Sequence, residues 1–274
     1  MTDYAVKYSP VVDEKFKLLS VTESAINRDY DWVGAMTVAV YSSNTAGLTD
    51  YTKSGTSRYG TPTEIDGTKQ EMPITQDKAF SCVIDKATQE GTNGALQDAG
   101  KQLARQIEEV VTPTVDAYRI GKMATATGVT TSKTGAPSKS DAYAKFLAGT
   151  EALGDAKVPT TGRVAFVSYS FFNLLKQDGS FVKASDLGQQ IAINGAVGMI
   201  DGVAIIPVPS SYLPENVYMV MAHKSCTVAP VKLAEYKIHE NPQGISGVLI
   251  EGRVMFDAYV LNSKAKGIFV GKSA

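Results

Sequence analysis

The sequence is poor in the residues that most often advertise a chemistry. Only Cys82 and Cys226 occur among 274 residues. They stand far apart and without CxxC partners, which excludes a disulfide framework and a thiolate metal site and predicts a reducing, intracellular setting. Histidine is as scarce: His223 and His239 fall on expected strands with no acidic pair at ligand spacing, so they read as structural or interface groups. Charge of one sign is missing too, since 27 Lys and Arg face 28 Asp and Glu, and no overall basic bias points to nucleic acid. No run of about eighteen apolar residues occurs. The first residues, MTDYAVKYSPVVDEKFKLLS, have no basic segment followed by an apolar stretch. Neither a membrane span nor export by a standard signal is therefore expected. Repeats and low-complexity tracts are absent, although 124–140 is small, polar and loop-like.

Catalytic fingerprints are missing as well. The tail from Gly267 to Ser273 is one residue short of a phosphate loop and has no room for the helix that should follow it. Ser180-Phe181-Val182-Lys183 and Lys133-Thr134-Gly135 imitate β-lactamase motifs but stand in the wrong order, with no Ser-Asp-Asn between them. Gly244-Ile245-Ser246-Gly247 lacks nucleophile-elbow spacing, so Ser246 reads as a turn residue. Glu108 and Glu109 belong to the wet side of a helix, where a solvated or inter-subunit role is commoner than acid–base chemistry. The expectation is no enzyme, no cofactor and no metal.

What is present is one long amphipathic helix, 94–122. Leu96, Ala99, Leu103, Ile107, Val110, Val111, Val115 and Tyr118 recur at spacings that place them on one side of a helix. Asn93 suits an N-cap and Gly121 a stop. At roughly 1.5 Å per residue such a helix spans about 40 Å, the width of a domain. Pro113 removes a backbone donor and predicts a kink near Glu109.

Around this helix the chain is long enough for one elaborate domain or two modest ones. Residues 1–31 scatter few apolar positions among charges and read as an arm that packs on the body or on a neighbouring chain. β-branched and aromatic content predicts strands at 32–41 and 80–85. Between them, 42–78 is rich in Gly, Thr, Ser, Tyr and Asp, with Asp66-Gly67 as a turn signal. So long a connection is expected to be a projecting hairpin, an active-site lid being the alternative. Helices are expected at 141–153 and 169–177, with strands at 163–168, 203–208, 217–221, 227–238, 248–261 and 267–270. Sheet-forming sequence thus lies on both sides of about 123–225, as an inserted α/β domain would place it.

The pieces Trp32–Tyr41, Arg58-Tyr59-Gly60-Thr61-Pro62-Thr63-Glu64, Met72–Asp85, Ala104-Arg105-Gln106-Ile107, Val115–Arg119, Gly195–Val203, Ala222-His223-Lys224, Tyr236–His239 and Gly247–Arg253, in this order, resemble the phage major capsid proteins of the Hong Kong 97 type. The likeness is to the group found in phages and prophages of Gram-positive bacteria and covers nearly the whole chain. It implies an α+β fold with an N-terminal arm (1–31) and an extended hairpin loop (42–78). A peripheral domain (32–41, 79–122 and 226–274) would carry the long spine helix, with an inserted α/β axial domain at 123–225. It further implies a structural protein that assembles with itself, as hexameric and pentameric capsomers, into the icosahedral virion capsid of a tailed phage around double-stranded DNA.

A separate scaffolding protein and a portal are implied partners, with only non-specific contact to DNA and none to a membrane. Assembly residues are expected on the hairpin at Leu48, Tyr51, Arg58, Tyr59 and Ile65. The spine's apolar face would be Leu96, Leu103, Ile107, Val111, Val115 and Tyr118, with its kink at Pro113. An axial-domain turn would use Gly195, Gly198 and Gly202. Some relatives join a hairpin lysine to a neighbour's asparagine. Lys53 and Lys69, with Asn241 and Asn262, are the candidates here, matched to no motif. An encapsulin-like compartment and a soluble two-domain enzyme are the competing readings.

Overall fold

The computed structural model describes residues 20–30, 37–87, 99–178 and 198–273. In chain order the first strands are β1 (Thr37–Ser43), β2 (Gly67–Pro73) and β3 (Gln76–Asp85). A 27-residue helix, α1, then covers 99–125. β4 (Thr130–Lys133), α2 (Ala142–Asp155), β5 (Arg163–Ser168) and α3 (Tyr169–Gln177) follow. Next come β6 (Met199–Ile200), β7 (Val203–Val208), β8 (Val217–His223) and β9 (Thr227–Val228). β10 (Val231–Glu240), β11 (Gly247–Phe256), β12 (Tyr259–Val260) and β13 (Ile268–Lys272) end the chain.

The largest core is built on a six-stranded sheet in the order β4-β13-β8-β5-β7-β6. β5 and β8 are buried along their whole length, which is why RVAFVS and VYMVMAH read as near-continuous apolar runs. Side chains alternate across this sheet. Val164, Phe166, Val220, Ala222, Ile268 and Val270 pack beneath Ile120, Met123 and Ala124 at the end of α1. Ala165, Val167, Met219, Met221 and Phe269 pack on the opposite side against Phe146 and Leu153 of α2 and Phe171 and Leu175 of α3. The result is helix, sheet and helix in three layers. Ser168 starts α3 by accepting the Phe171 N–H at 3.2 Å, an N-cap.

A second, antiparallel sheet has the order β10-β11-β3. The middle of α1 lies against it, with Val110, Val111, Thr114 and Val115 facing Phe80, Val254 and Phe256 across an apolar crevice. Gly252 is required in β11: a Cβ there would stand 2.3 Å from the Phe80 ring and 2.8 Å from that of Tyr236. β1 and β2 form a separate hairpin, in register from Thr37 opposite Pro73 to Ser43 opposite Gly67.

Several expectations shift. Gly121 does not stop α1, which continues to Thr125. Burial of Ile120, Met123 and Ala124 outweighs a mid-helix glycine penalty of about 1 kcal/mol. The loop-like 124–140 contains β4, whose Thr130 and Thr131 pair in parallel with the edge of β13. The strand expected at 80–85 starts at Gln76, because β11 offers a partner along that whole length. The segment 226–274 divides between sheets, β10 and β11 pairing with β3. Its last strand, β13, lies between β4 and β8 in the six-stranded sheet, where Ile268 and Val270 are fully buried. Asn93, Leu96, Gly195, residues 1–19 of the arm and Trp32–Met36 of the first expected strand lie outside the described residues.

Candidate functional site

The hairpin is held firmly at its base. Met72 packs with Val228 and Leu261, flanked by Val38, Val40, Ile74 and Tyr259. Gln70 clasps the C-terminal segment with both ends of its amide: Nε2 donates to Val260 O at 2.9 Å, and Oε1 accepts the Asn262 N–H at 2.9 Å. Beside this lies Asp257, with no exposed surface. Its Oδ2 accepts from the Thr75 N–H at 2.8 Å, Thr75 Oγ1 at 2.7 Å and Tyr259 OH at 2.9 Å. Its Oδ1 accepts from Tyr118 OH and the Ala258 N–H, each at 2.8 Å. One carboxylate therefore joins the β2–β3 turn, the spine helix and the chain after β11. Burial alone would raise its pKa, but the bonds from Thr75, Ala258 and Tyr118 outweigh that and hold it below the ordinary aspartate value. Burial, then the hydrogen bond to Asp257, pushes the Tyr259 phenol far up.

Beyond the base, 44–66 projects as a tip that holds itself by short-range bonds. Asn44 N–H donates to Asp66 O at 3.2 Å, and Thr52 N–H to Arg58 O at 3.0 Å. Thr49 Oγ1 donates to Tyr59 O at 2.9 Å, and Arg58 Nε to Gly55 O at 3.1 Å. The Tyr51 and Tyr59 rings meet edge-on at 5.1 Å. Leu48, Tyr51, Arg58, Tyr59 and Ile65 are all exposed, Tyr59 to 84%. The tip is thus preformed, yet Leu48, Tyr51, Tyr59 and Ile65 stay exposed on it.

The N-terminal segment docks on α1 through a second buried carboxylate. Asp116 accepts from Ser20 Oγ at 2.9 Å, the Val21 N–H at 2.9 Å and Thr22 Oγ1 at 2.5 Å. Arg119, one turn on, donates to Thr22 Oγ1 at 3.1 Å and to Glu23 Oε1 at 2.9 Å. Burial would raise the Glu23 pKa, but the bonds from Arg119 and Arg28 prevail and lower it.

Along the spine, Leu103, Ile107, Val111, Val115 and Tyr118 are only half-buried, and the fully buried positions are Asp116, Arg119, Ile120, Met123 and Ala124. One turn before Pro113 the helix is π-helical over Ile107–Val111, with Thr112 N–H reaching back to Ile107 O. Thr114 Oγ1 bonds to Val110 O at 2.6 Å. Between β6 and β7, Asp201 and Gly202 make the turn with φ of 51° and 75°, the left-handed pair a tight hairpin demands. Gly198 O accepts the Ile205 N–H at 3.0 Å on the same turn.

The five hairpin residues come together on one projection, while the described residues of the α1 stripe and Gly198 and Gly202 of the β6–β7 turn lie elsewhere as packing and turn positions. Asp257 and Asp116 were missed. Their only signal is an acid within apolar runs, MFDAYV and VDAY, at positions that must bury. No metal-binding group of His, Cys, Asp and Glu occurs among the described residues. No helix among them is long and apolar enough to cross a membrane.

A sequence-family model described as phage capsid protein matches residues 84–270. The chain belongs to the phage capsid protein family. Its function is structural: it is a major capsid protein of a phage head shell, and its place is the virion capsid. Among solved structures it resembles that of Mycobacterium phage Che8, at 18% identity over 98% of this chain and 97% of that one, with a TM-score of 0.80. The capsid of cyanophage P-SCSP1u matches at 15% identity over 100% and 93%, with a TM-score of 0.73. A virus-like particle from Pyrococcus furiosus matches at 12% identity over 87% and 86%, with a TM-score of 0.55. At these identities the likeness establishes the fold, the α+β Hong Kong 97 type. No curated protein sequence matches the chain.

Proposed function

We propose that the subunit builds the icosahedral head of a tailed phage around double-stranded DNA by laying its hairpin tip on a neighbouring copy. The observation that carries this reading is the contrast within the hairpin: a base tied to three parts of the chain by Asp257 and Gln70, and a preformed tip with exposed Leu48, Tyr51, Tyr59 and Ile65. Each such side chain, fully buried by a neighbour, contributes about 1.5–3 kcal/mol. Because the tip's own hydrogen bonds already order it, little conformational entropy opposes docking. Aromatic and arginine side chains are the usual anchors of such contacts, which singles out Tyr51, Tyr59 and Arg58.

In this reading residues 1–31 form the arm, the spine and the β10-β11-β3 sheet form the peripheral part, and 123–225 joined by β13 forms the axial part that meets its copies in hexameric and pentameric capsomers. A separate scaffolding protein and a portal complete the head. The π-helical turn before Pro113 is where identical spines adapt to different curvature; equal bend angles in every quasi-equivalent copy would count against that role.

The test is to delete 44–66 and look for shells by electron microscopy. The expected product is a soluble, folded subunit that forms none, and normal shells from the deletion would overturn the proposal. A denaturing gel of wild-type shells reports on covalent joining through Lys53 or Lys69: bands of monomer alone would exclude it.

A further inference from the structure

Positive charge gathers at the end of the six-stranded sheet where β5 begins and β8 finishes. Arg163 opens β5 and is buried. Its guanidinium donates to Val158 O at 2.7 Å, Pro159 O at 2.9 Å and Thr150 O at 3.4 Å. These acceptors are neutral carbonyls, so they satisfy its hydrogen bonds and leave its charge uncompensated.

Across the sheet, Arg163 is opposite His223. The imidazole is buried, with Nε2 3.0 Å from Thr161 O and Nδ1 2.8 Å from Ser225 Oγ. Burial lowers its pKa, the Thr161 carbonyl opposes this, and Lys224, Arg163 and Lys264 lower it further, as expected of a site with net positive field. Lys224 donates its N–H to Gly162 O at 3.0 Å, and its stem lies over Gly162, where a Cβ would meet Cδ at 3.2 Å. Lys264 and Lys266 stand on the short helical turn Asn262–Gly267. That turn is held against the end of β8 by Gly267, which has no Cβ to keep Cys226 Sγ away.

Lys224, Lys264 and Lys266 are exposed, and among the described residues none has an ion-pair partner. Asp155, at the end of α2, and Asp201, between β6 and β7, form no ion pair with these lysines among the described residues.

We propose that Lys224 and Lys264, beside the buried Arg163 and His223, together with Lys266 on the same short turn as Lys264, bind the sugar–phosphate backbone of the packaged DNA. The inference rests on the reading of the chain as the subunit of a DNA-filled head. Flexible ammonium groups act as point charges that suit phosphates without requiring a fixed geometry, so binding is independent of base sequence. A neighbouring subunit is the poorer fit. Protein interfaces are depleted of lysine and anchored by apolar side chains, and no large exposed apolar side chain belongs to this cluster.

The test uses the full-length chain before assembly, titrated with a short fluorescent DNA duplex of random sequence over a range of salt. K224Q/K264Q/K266Q is compared with wild type, with K224R/K264R/K266R, and with the distant control K86Q/K139Q/K237Q. The glutamine triple is expected to bind roughly tenfold more weakly at low salt. Its slope of log affinity against log salt should flatten by roughly 2–3, near 0.9 for each phosphate no longer neutralised. The arginine triple should retain wild-type binding, and shells of the glutamine triple should still assemble. Unchanged affinity and slope would overturn the proposal, as would an equal loss in the control triple. Retained DNA binding with failed shells would overturn it too, assigning the cluster to a carboxylate of a second copy. Wild-type chain that forms no shells would count against the proposed function instead.

Discussion

Phe166 and Tyr59 are both large aromatic residues, and the subunit uses them in opposite ways. Phe166 has no exposed surface, lying in the sheet centre beneath the end of α1. Tyr59 is 84% exposed and touches the ring of Tyr51 at the end of a hairpin. The sheet is finished within one chain. The tip is tied by a few hydrogen bonds of its own and leaves its apolar surface open, the pattern of an element shaped for a partner. Stability and assembly should therefore separate by region.

The sharpest way to break that separation is to truncate both rings. Phe166→Ala is expected to cost about 3–5 kcal/mol of subunit stability, read from urea unfolding. Tyr59→Ala should change the same measurement by less than about 0.5 kcal/mol while reducing shell yield sharply. A large stability loss from Tyr59→Ala would show that the tip belongs to the core after all. Between the two lies Asp257, which belongs to neither region and ties them together. Asp257→Ala leaves the Thr75 N–H and the Tyr118 hydroxyl without their acceptor, while the Tyr259 hydroxyl keeps Pro73 O, and should cost about 3 kcal/mol. Hydrogen exchange should then rise first in β1 and β2, with β5 and β8 still protected.

The two regions also differed in how legible they were. The buried strands announced themselves as apolar runs, and the hairpin by its length, its Asp66-Gly67 signal and its lack of aliphatics. The place of β13 could not be read, because IFVGK has the same composition whichever sheet it joins. The spine stripe was legible as a pattern but its depth was not: Leu103, Ile107 and Val111 up to the π-helical turn and Val115 and Tyr118 after it are all half-buried. An i→i+5 turn takes up more residues than an α turn, so positions beyond Val111 are rotated from a regular extrapolation. Asp116 and Arg119 are buried where Ser20, Val21, Thr22 and Glu23 of the N-terminal segment close over them. Capping and periodicity concern one element at a time, whereas Asp257 and Asp116 matter because they join elements distant in sequence.

Acid should sharpen the contrast further. The Asp257 pKa in the folded subunit lies below the ordinary aspartate value of 3.8. Its stabilisation is therefore fully present above that value and is lost as pH falls through the lowered one. The stability difference between wild type and Asp257→Asn should be flat from neutral pH down to about 5 and shrink below about 4. A difference that stays constant to pH 2 would mean that the carboxylate titrates alike in both states.

The smallest effect is expected within the tip itself. Arg58 donates Nε to Gly55 O at 3.1 Å, and both residues are exposed. Water replaces such a bond readily, so Arg58→Ala should change subunit stability by at most about 0.5 kcal/mol. Its guanidinium is nevertheless among the best-placed anchors for a neighbour, and Arg58→Lys keeps the charge while losing the planar fork. If the tip docks through that fork, both variants should lower shell yield, with Lys no better than Ala. If only charge matters, Lys should rescue assembly. Equal shell yields for wild type, Ala and Lys would remove Arg58 from the interface and leave the docking to the apolar side chains around it.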